Sequence, residues 1–265
     1  VNRPLATLAA MLAVAALAAA CGGADDAAAP PPEPQPAGQP ADFPKSHGRT
    51  MAALKAGTGQ TLVLSPSVQE LKRGTNRYGF ALYDTARKPV SGAKVALYVA
   101  REDGTHVRGP YIARWESLKV EGPFQSRTTA SDPDAANAIY VADVPFRRRG
   151  RHIVTAIAKL DGRFIGTNPY SVEIERAGPR PPDVGERAIR VHTRTLADVG
   201  GDASAVDTRT PPATDLLRTD LADVLGRKPV VITFATPALC ASRVCGPVVD
   251  IVEQAKARVG GGVAF

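Results

Sequence analysis

Two cysteines, Cys240 and Cys245, are the residues of this chain best suited to covalent chemistry. Their spacing is C-x4-C, and both flanks are informative. Ahead of them, Val230-Val231-Ile232-Thr233-Phe234-Ala235 is an apolar, β-branched run that predicts a buried central strand, introduced by Lys228-Pro229. Behind them, Pro247 to Val259 predicts a helix. Pro247 suits a first helical turn, and Val248, Ile251, Val252, Ala255 and Val259 recur at helical spacing, while Glu253, Lys256 and Arg258 can face water. Gly260-Gly261-Gly262 stops it. Strand, cysteine loop and helix in this order put two thiols near the positive end of a helix dipole, which favours thiolate and hence disulfide exchange. Three readings stand open. The pair is exchange-active, with Cys240 attacking and Cys245 resolving by order along the chain, or the reverse because Cys245 lies nearer the helix start. Alternatively it is a structural disulfide pinning a loop to a helix, or it binds metal, for which two cysteines alone underfill a tetrahedral site.

The third cysteine, Cys21, decides the compartment. Arg3 supplies a positive start, Leu5 to Ala16 an uncharged core, and Leu17-Ala18-Ala19-Ala20 the small residues that a signal peptidase needs. With Gly22-Gly23 following, this stretch resembles the lipobox of bacterial lipoproteins, although Ala18 stands where Leu is preferred. The resemblance implies that Cys21 is lipidated, begins the mature chain and holds it to a membrane. A plain secretory signal and a short uncleaved anchor are the alternatives; the apolar run is at the short limit for a span of roughly 20 residues. All three place the remaining chain outside the cytoplasm, where a cysteine pair can persist as a disulfide.

Composition limits the remaining functions. A 44% hydrophobic fraction with 22% charged residues allows a core, and sparse aromatics (5%) with 23 Pro and 24 Gly favour short strands and turns. The formal charge of +7 is partly local, in Arg147-Arg148-Arg149-Gly150-Arg151. No aromatic interleaving or binding motif accompanies it, so nucleic acid is not expected as a partner; a solvated basic turn facing acidic lipid headgroups is the plainer reading. The four histidines (His47, His106, His152, His192) lack metal-ligand spacing, Gly260–Gly262 lacks a phosphate-loop lysine, and no cofactor or metal is implied.

The elements that must position these residues fall into four stretches: 1–20, a lipoprotein signal peptide; 21–55, an Ala/Pro-rich linker expected to be disordered; 56–178, an all-β sandwich; and 179–265, a partial α/β domain. In the third stretch, candidate strands are Thr61–Leu64, Tyr78–Asp84, Ala93–Ala100, Tyr111–Trp115, Ala138–Val144, His152–Leu160 and Arg163–Ile174. Turn signals such as Asp103-Gly104 and Asp161-Gly162 separate them. Phe80-x-Leu-x-Asp with Pro89-Val90-x-Gly92-x-x-Val95-x-Leu97 resembles immunoglobulin-like modules of bacterial surface proteins, without the cysteine pair of antibody-type domains. In the fourth, Ala188–His192 is a candidate strand and Asp220–Leu225 a short helix. Gly185-Glu186-Arg187-Ala188, Leu225-Gly226-Arg227-Lys228-Pro229, Phe234-Ala235-Thr236-Pro237-Ala238-Leu239-Cys240 and Cys245-Gly246-Pro247 are together similar to the thioredoxin-like superfamily of TlpA and peroxiredoxin type. The usual C-x-x-C is absent, and so are the C-x3-C and downstream His of the copper-handling relatives.

That resemblance covers only the first half of a thioredoxin fold, so the chain reads as a fragment whose cis-proline loop, later strands and closing helix lie beyond Phe265. The expected fold is thus an immunoglobulin-like sandwich followed by an incomplete thioredoxin-like domain. The function it implies is thiol–disulfide exchange through Cys240 and Cys245 on a protein or small-thiol substrate, without a cofactor. The alternative is a non-catalytic surface-binding lipoprotein in which Cys240–Cys245 is structural.

Overall fold

A computed structural model describes residues 37–265 except 60, 69, 179 and 240–242. Eight strands carry the fold: β1 (Thr61–Pro66), β2 (Gly74–Tyr83), β3 (Lys94–Arg101), β4 (Arg108–Ser117), β5 (Ala138–Phe146), β6 (Gly150–Leu160), β7 (Arg163–Thr167) and β8 (Tyr170–Ile174). The run read as one strand from Arg163 to Ile174 is two, divided at Asn168-Pro169, where proline has no N–H for the ladder.

The strands close into a ring, β3-β4-β5-β2-β1-β7-β6 and back to β3, with β8 pairing the first half of β6 on the edge that β7 takes further along. All pairings are antiparallel except β1 with β7. Closure depends on two strands that change partners along their length. β1 pairs β7 through Thr61 and Leu62, then β2 from Val63 to Pro66. β4 pairs β3 through Ala113, then β5 from Arg114. The expected β-sandwich is thus a closed seven-strand barrel, in which strands that switch sheets remove the free edges. Gly109 permits the register shift of β4 on β3: its φ is 119°, and a Cβ there would lie 2.6 Å from the Leu97 carbonyl oxygen.

Period-two alternation sends one side of each strand inward. Tyr78, Phe80 and Leu82 of β2, Val95, Leu97 and Val99 of β3, and Tyr140 of β5 share the barrel core. The Phe80 and Tyr140 rings stack at 5.6 Å, and the Tyr140 hydroxyl donates to the Val90 carbonyl while accepting from the Ala93 N–H, both at 3.1 Å. The outward sides of β2 and β3 are also buried, because chain from outside the barrel covers them. Ala96, Tyr98 and Ala100 of β3 lie under Phe43 and under Met51 and Leu54 of helix α1 (Met51–Lys55). Thr50 caps that helix by accepting from the Ala53 N–H, and the Tyr98 hydroxyl donates to the Pro44 carbonyl at 2.7 Å. The stretch 37–55, assigned to the linker in sequence, thus includes a segment packed into the fold.

The larger correction concerns 179–265. The partial α/β thioredoxin-like domain does not form. Val230 to Ala235 makes one parallel bridge, Val230 with Ala264, and no further ladder. A buried parallel strand needs partners on both sides and cover on both faces; here Ile232 and Phe234 are exposed, Phe234 at 91%. Ala188–His192 is likewise not a strand. The segment is instead a series of turns with α3 (Leu221–Val224) and α4 (Cys245–Val259), and it belongs to the same compact unit as the barrel, Glu33–Phe265. Residues 1–20, read as a signal peptide, and 21–36, read as part of the linker, lie outside the described residues.

Candidate functional site

α4 brings the candidate cysteine chemistry to the barrel. It docks on the β4–β5 connection, which contains α2 (Arg127–Ala130). The face it buries is Gly246, Pro247, Val249 and Asp250, shifted from the apolar stripe read in sequence; Val259 is exposed and Glu253 is turned inward. Val244, just before the helix, packs with Ala81 and Tyr83 on the outer side of β2 and with Leu118, Ala136 and Ile251. Gly246 lies so close to α2 that a Cβ would stand 3.0 Å from Thr129 Oγ1.

A buried ion network locks this arrangement. Arg209, whose side chain is 4% exposed, donates through Nε to Asp250 Oδ1 at 2.9 Å and pairs with Glu253 Oε2 at 2.7 Å. Its other donors reach the carbonyls of Pro211 (2.7 Å) and Phe124 (2.9 Å). Asp250 also accepts from the Ser126 N–H and hydroxyl at 3.1 and 3.2 Å, while Ser126 caps α2. One guanidinium serves two carboxylates, so the cluster carries a net negative charge when both are ionised, and the Ser126 N–H and hydroxyl share the load on Asp250. Burial pushes the Glu253 carboxyl above its usual range, and the Arg209 guanidinium pulls it partly back. Sequence reading missed this cluster, since Glu253 looked like a water-facing helix residue. The available signal was Asp250 and Glu253 three apart on one helix face, beside apolar positions.

Cys245 is the first residue of α4, half-buried, and it is disulfide-bonded. Its partner lies outside the described residues, as do Cys240 and Cys21, so the juxtaposition read for Cys240 and Cys245 and the lipidation read for Cys21 both fall there. The chain leading to Cys245 is held from both sides: Arg243, at φ 58°, donates to Asp132 Oδ2 at 2.8 Å, and its carbonyl accepts from the Ala136 N–H at 3.0 Å. The predicted strand end beneath the thiols is missing, so of the strand–loop–helix geometry only the helix N-terminus remains. A groove beside it, between Thr129, Asp132, Leu239 and Pro247, is broad and open.

Beside α4, Val230, Val231, Ile232, Leu216, Val249 and Phe265 line an apolar cleft of about 220 Å³. That is below the ~300 Å³ at which small-molecule sites begin. Among the described residues no group of three or more His, Cys, Asp or Glu could hold a metal ion, and no helix is long and apolar enough to cross a membrane.

No protein-family model matches the chain, and no curated protein matches it. Among solved structures it is similar to the Lin-41 filamin domain, at 14% identity and a TM-score of 0.25 over 46% of this chain and 99% of that one. It is also similar to the human F-spondin reeler domain, at 13% identity and a TM-score of 0.24 over 44% of this chain and 91% of that one. Likenesses this distant assign neither family nor activity.

Proposed function

We propose that the chain is a membrane-anchored, extracytoplasmic binding lipoprotein, non-catalytic, in which Cys21 carries the lipid and Cys240–Cys245 is a structural bridge. The supporting observation is the setting of Cys245. It is oxidised, and the helix it begins is locked at once into the barrel by Gly246 against Thr129 and by Asp250 in the Arg209 network. A disulfide there restrains the loop before α4. The barrel then serves as the carrier of a recognition surface outside the membrane.

The reduction potential tests this. A structural bridge titrates below about −300 mV, whereas an exchange-active pair falls at roughly −270 to −120 mV. A value in the upper range overturns the binding reading in favour of the second one, thiol–disulfide exchange. The observation favouring exchange is that Cys245 is half-exposed at the N-terminus of a fifteen-residue helix, where a thiolate is stabilised. In that reaction the Cys240 thiolate attacks a substrate disulfide and displaces one substrate thiolate. Cys245 then attacks the mixed disulfide, which oxidises the pair and releases the reduced substrate.

A further inference from the structure

We propose that the end of the barrel bearing the β3–β4 and β5–β6 turns docks against an anionic phospholipid surface. The proposal rests on the reading above that the chain is held at a membrane, and it assigns the face turned toward that membrane.

Three segments far apart in sequence converge there. Arg101 and Arg108 flank the β3–β4 turn, Arg147 and Arg148 stand in the β5–β6 turn, and Arg49 precedes α1. Register brings them together: Arg101 faces His152 across β3 and β6, and the Met51 N–H donates to the Gly104 carbonyl at 2.8 Å. Shallow grooves link them into one face, sharing Arg101, Arg148 and His152 on one side and His106 and Arg108 on the other. Arg149 and Arg151 are matched by Glu175 and Glu102. The five other arginines have no ion-pair partner among the described residues. The one further carboxylate lining these grooves, Asp103, accepts from the Thr105 N–H and hydroxyl of its own turn and offsets part of the charge of Arg101 without an ion-pair contact. The face is therefore cationic well beyond the single basic turn visible in sequence.

Its composition favours a membrane over a nucleic acid. The arginines stand on turns, and the nearby aromatic, Phe146, is buried with its ring edge-on to His152, so it is not offered for base stacking. A fluid headgroup layer can adapt to such an array. The tether allows it: the sixteen peptide steps from Cys21 to Ala37 span at most about 55 Å. The segment 42–51 then runs along β3 from Lys94 to the Arg101 end, a path of only about 23 Å.

The test is co-sedimentation of the full chain carrying Cys21→Ser, which cannot be acylated, with phosphatidylglycerol-containing vesicles and with pure phosphatidylcholine vesicles. Preference for the anionic vesicles is expected, weakening with added salt. Arg147→Ser/Arg148→Ser should lower it by about 30-fold, at the roughly fivefold per arginine that a charge near an anionic surface carries. Arg87→Ser/Lys88→Ser removes the same charge from the β2–β3 turn at the opposite end and should cost less than about threefold. Equal losses from both pairs, or no loss from the first, overturn the proposal, and so does tighter binding to duplex DNA than to the anionic vesicles. Mass spectrometry of the unmodified chain separates the two claims. An unacylated Cys21 with arginine-dependent binding retained defeats only the anchor, and an acylated Cys21 without that dependence defeats only the docking face.

Discussion

Arg209→Met isolates what holds α4 on the barrel. The substitution keeps the length and apolar stem of the side chain while removing the cation from Asp250 and Glu253 and the donors from the Pro211 and Phe124 carbonyls. Stranding a buried charge by deleting its partner costs ~3–5 kcal/mol. The two orphaned carbonyls act on the same site, so their cost does not add independently. For a unit the size of Glu33–Phe265, that loss lowers the melting temperature by roughly 6–20 °C. The cost should depend on pH. The folded Glu253 carboxyl already titrates above its unfolded value because of burial, so the native state holds the proton more tightly and this group's contribution to stability falls as pH rises from its unfolded pKa through the raised one. Removing Arg209 lifts the folded pKa further, so the variant's deficit should be largest at neutral pH and shrink toward pH 4. Urea denaturation followed by circular dichroism, at several pH values, measures both effects. Adding Asp250→Asn and Glu253→Gln should recover part of the loss, since the stranded charges disappear. If Arg209→Met stays within about 1 kcal/mol of the parent at every pH, the network does not hold α4 and the reasoning fails.

Four further outcomes are expected. Leu54→Ala should destabilise by ~2–5 kcal/mol by urea denaturation, because Leu54 is 1% exposed beneath the outer face of β3; an unchanged midpoint would mean that α1 is not part of the fold. With Cys240 as its partner, as proposed, Cys245→Ser should cost about 2 kcal/mol or less, the entropy of closing a short loop, and the same loss should appear on reducing the parent chain. Tyr78→Phe should be neutral or stabilising by ~1 kcal/mol, because the Tyr78 hydroxyl is buried without a hydrogen-bond partner among the described residues and burial holds its pKa far above the usual phenol range. In an NMR titration, His192 should titrate above 6.5, raised by its 2.6 Å contact with Asp220, whose own carboxyl is lowered to about 2. Its stabilising charge is present below pH 6.5 and lost as pH rises through the folded value, and Asp220→Asn should return His192 toward 6.5.

Local pattern was enough to locate the barrel strands, though it ran β7 and β8 together as one. Alternation in Tyr78-x-Phe80-x-Leu82 and Val95-x-Leu97-x-Val99, with Gly and Asp-Gly turns between the runs, fixes which residues face inward, because the side-chain period of a strand is independent of its partners. The helix at Cys245–Val259 was legible for the same reason, from Pro247 and the glycine stop. Apolar sequence does not say what will cover it. The outer faces of β2 and β3 accept segments from the two ends of the described chain, Phe43 to Leu54 and Val244 to Ile251, which read locally as a linker and as part of another domain. Val230 to Ala235 has the composition of a central strand, but a strand is defined by its neighbours, and here only Ala264 pairs with it. Cys245 carries the same lesson into function. Spacing could propose a thiol pair, but its surroundings are set by Arg209, Ser126 and Asp250, brought together across up to 124 residues of chain. That convergence is a property of packing and charge balance, which no window of sequence contains.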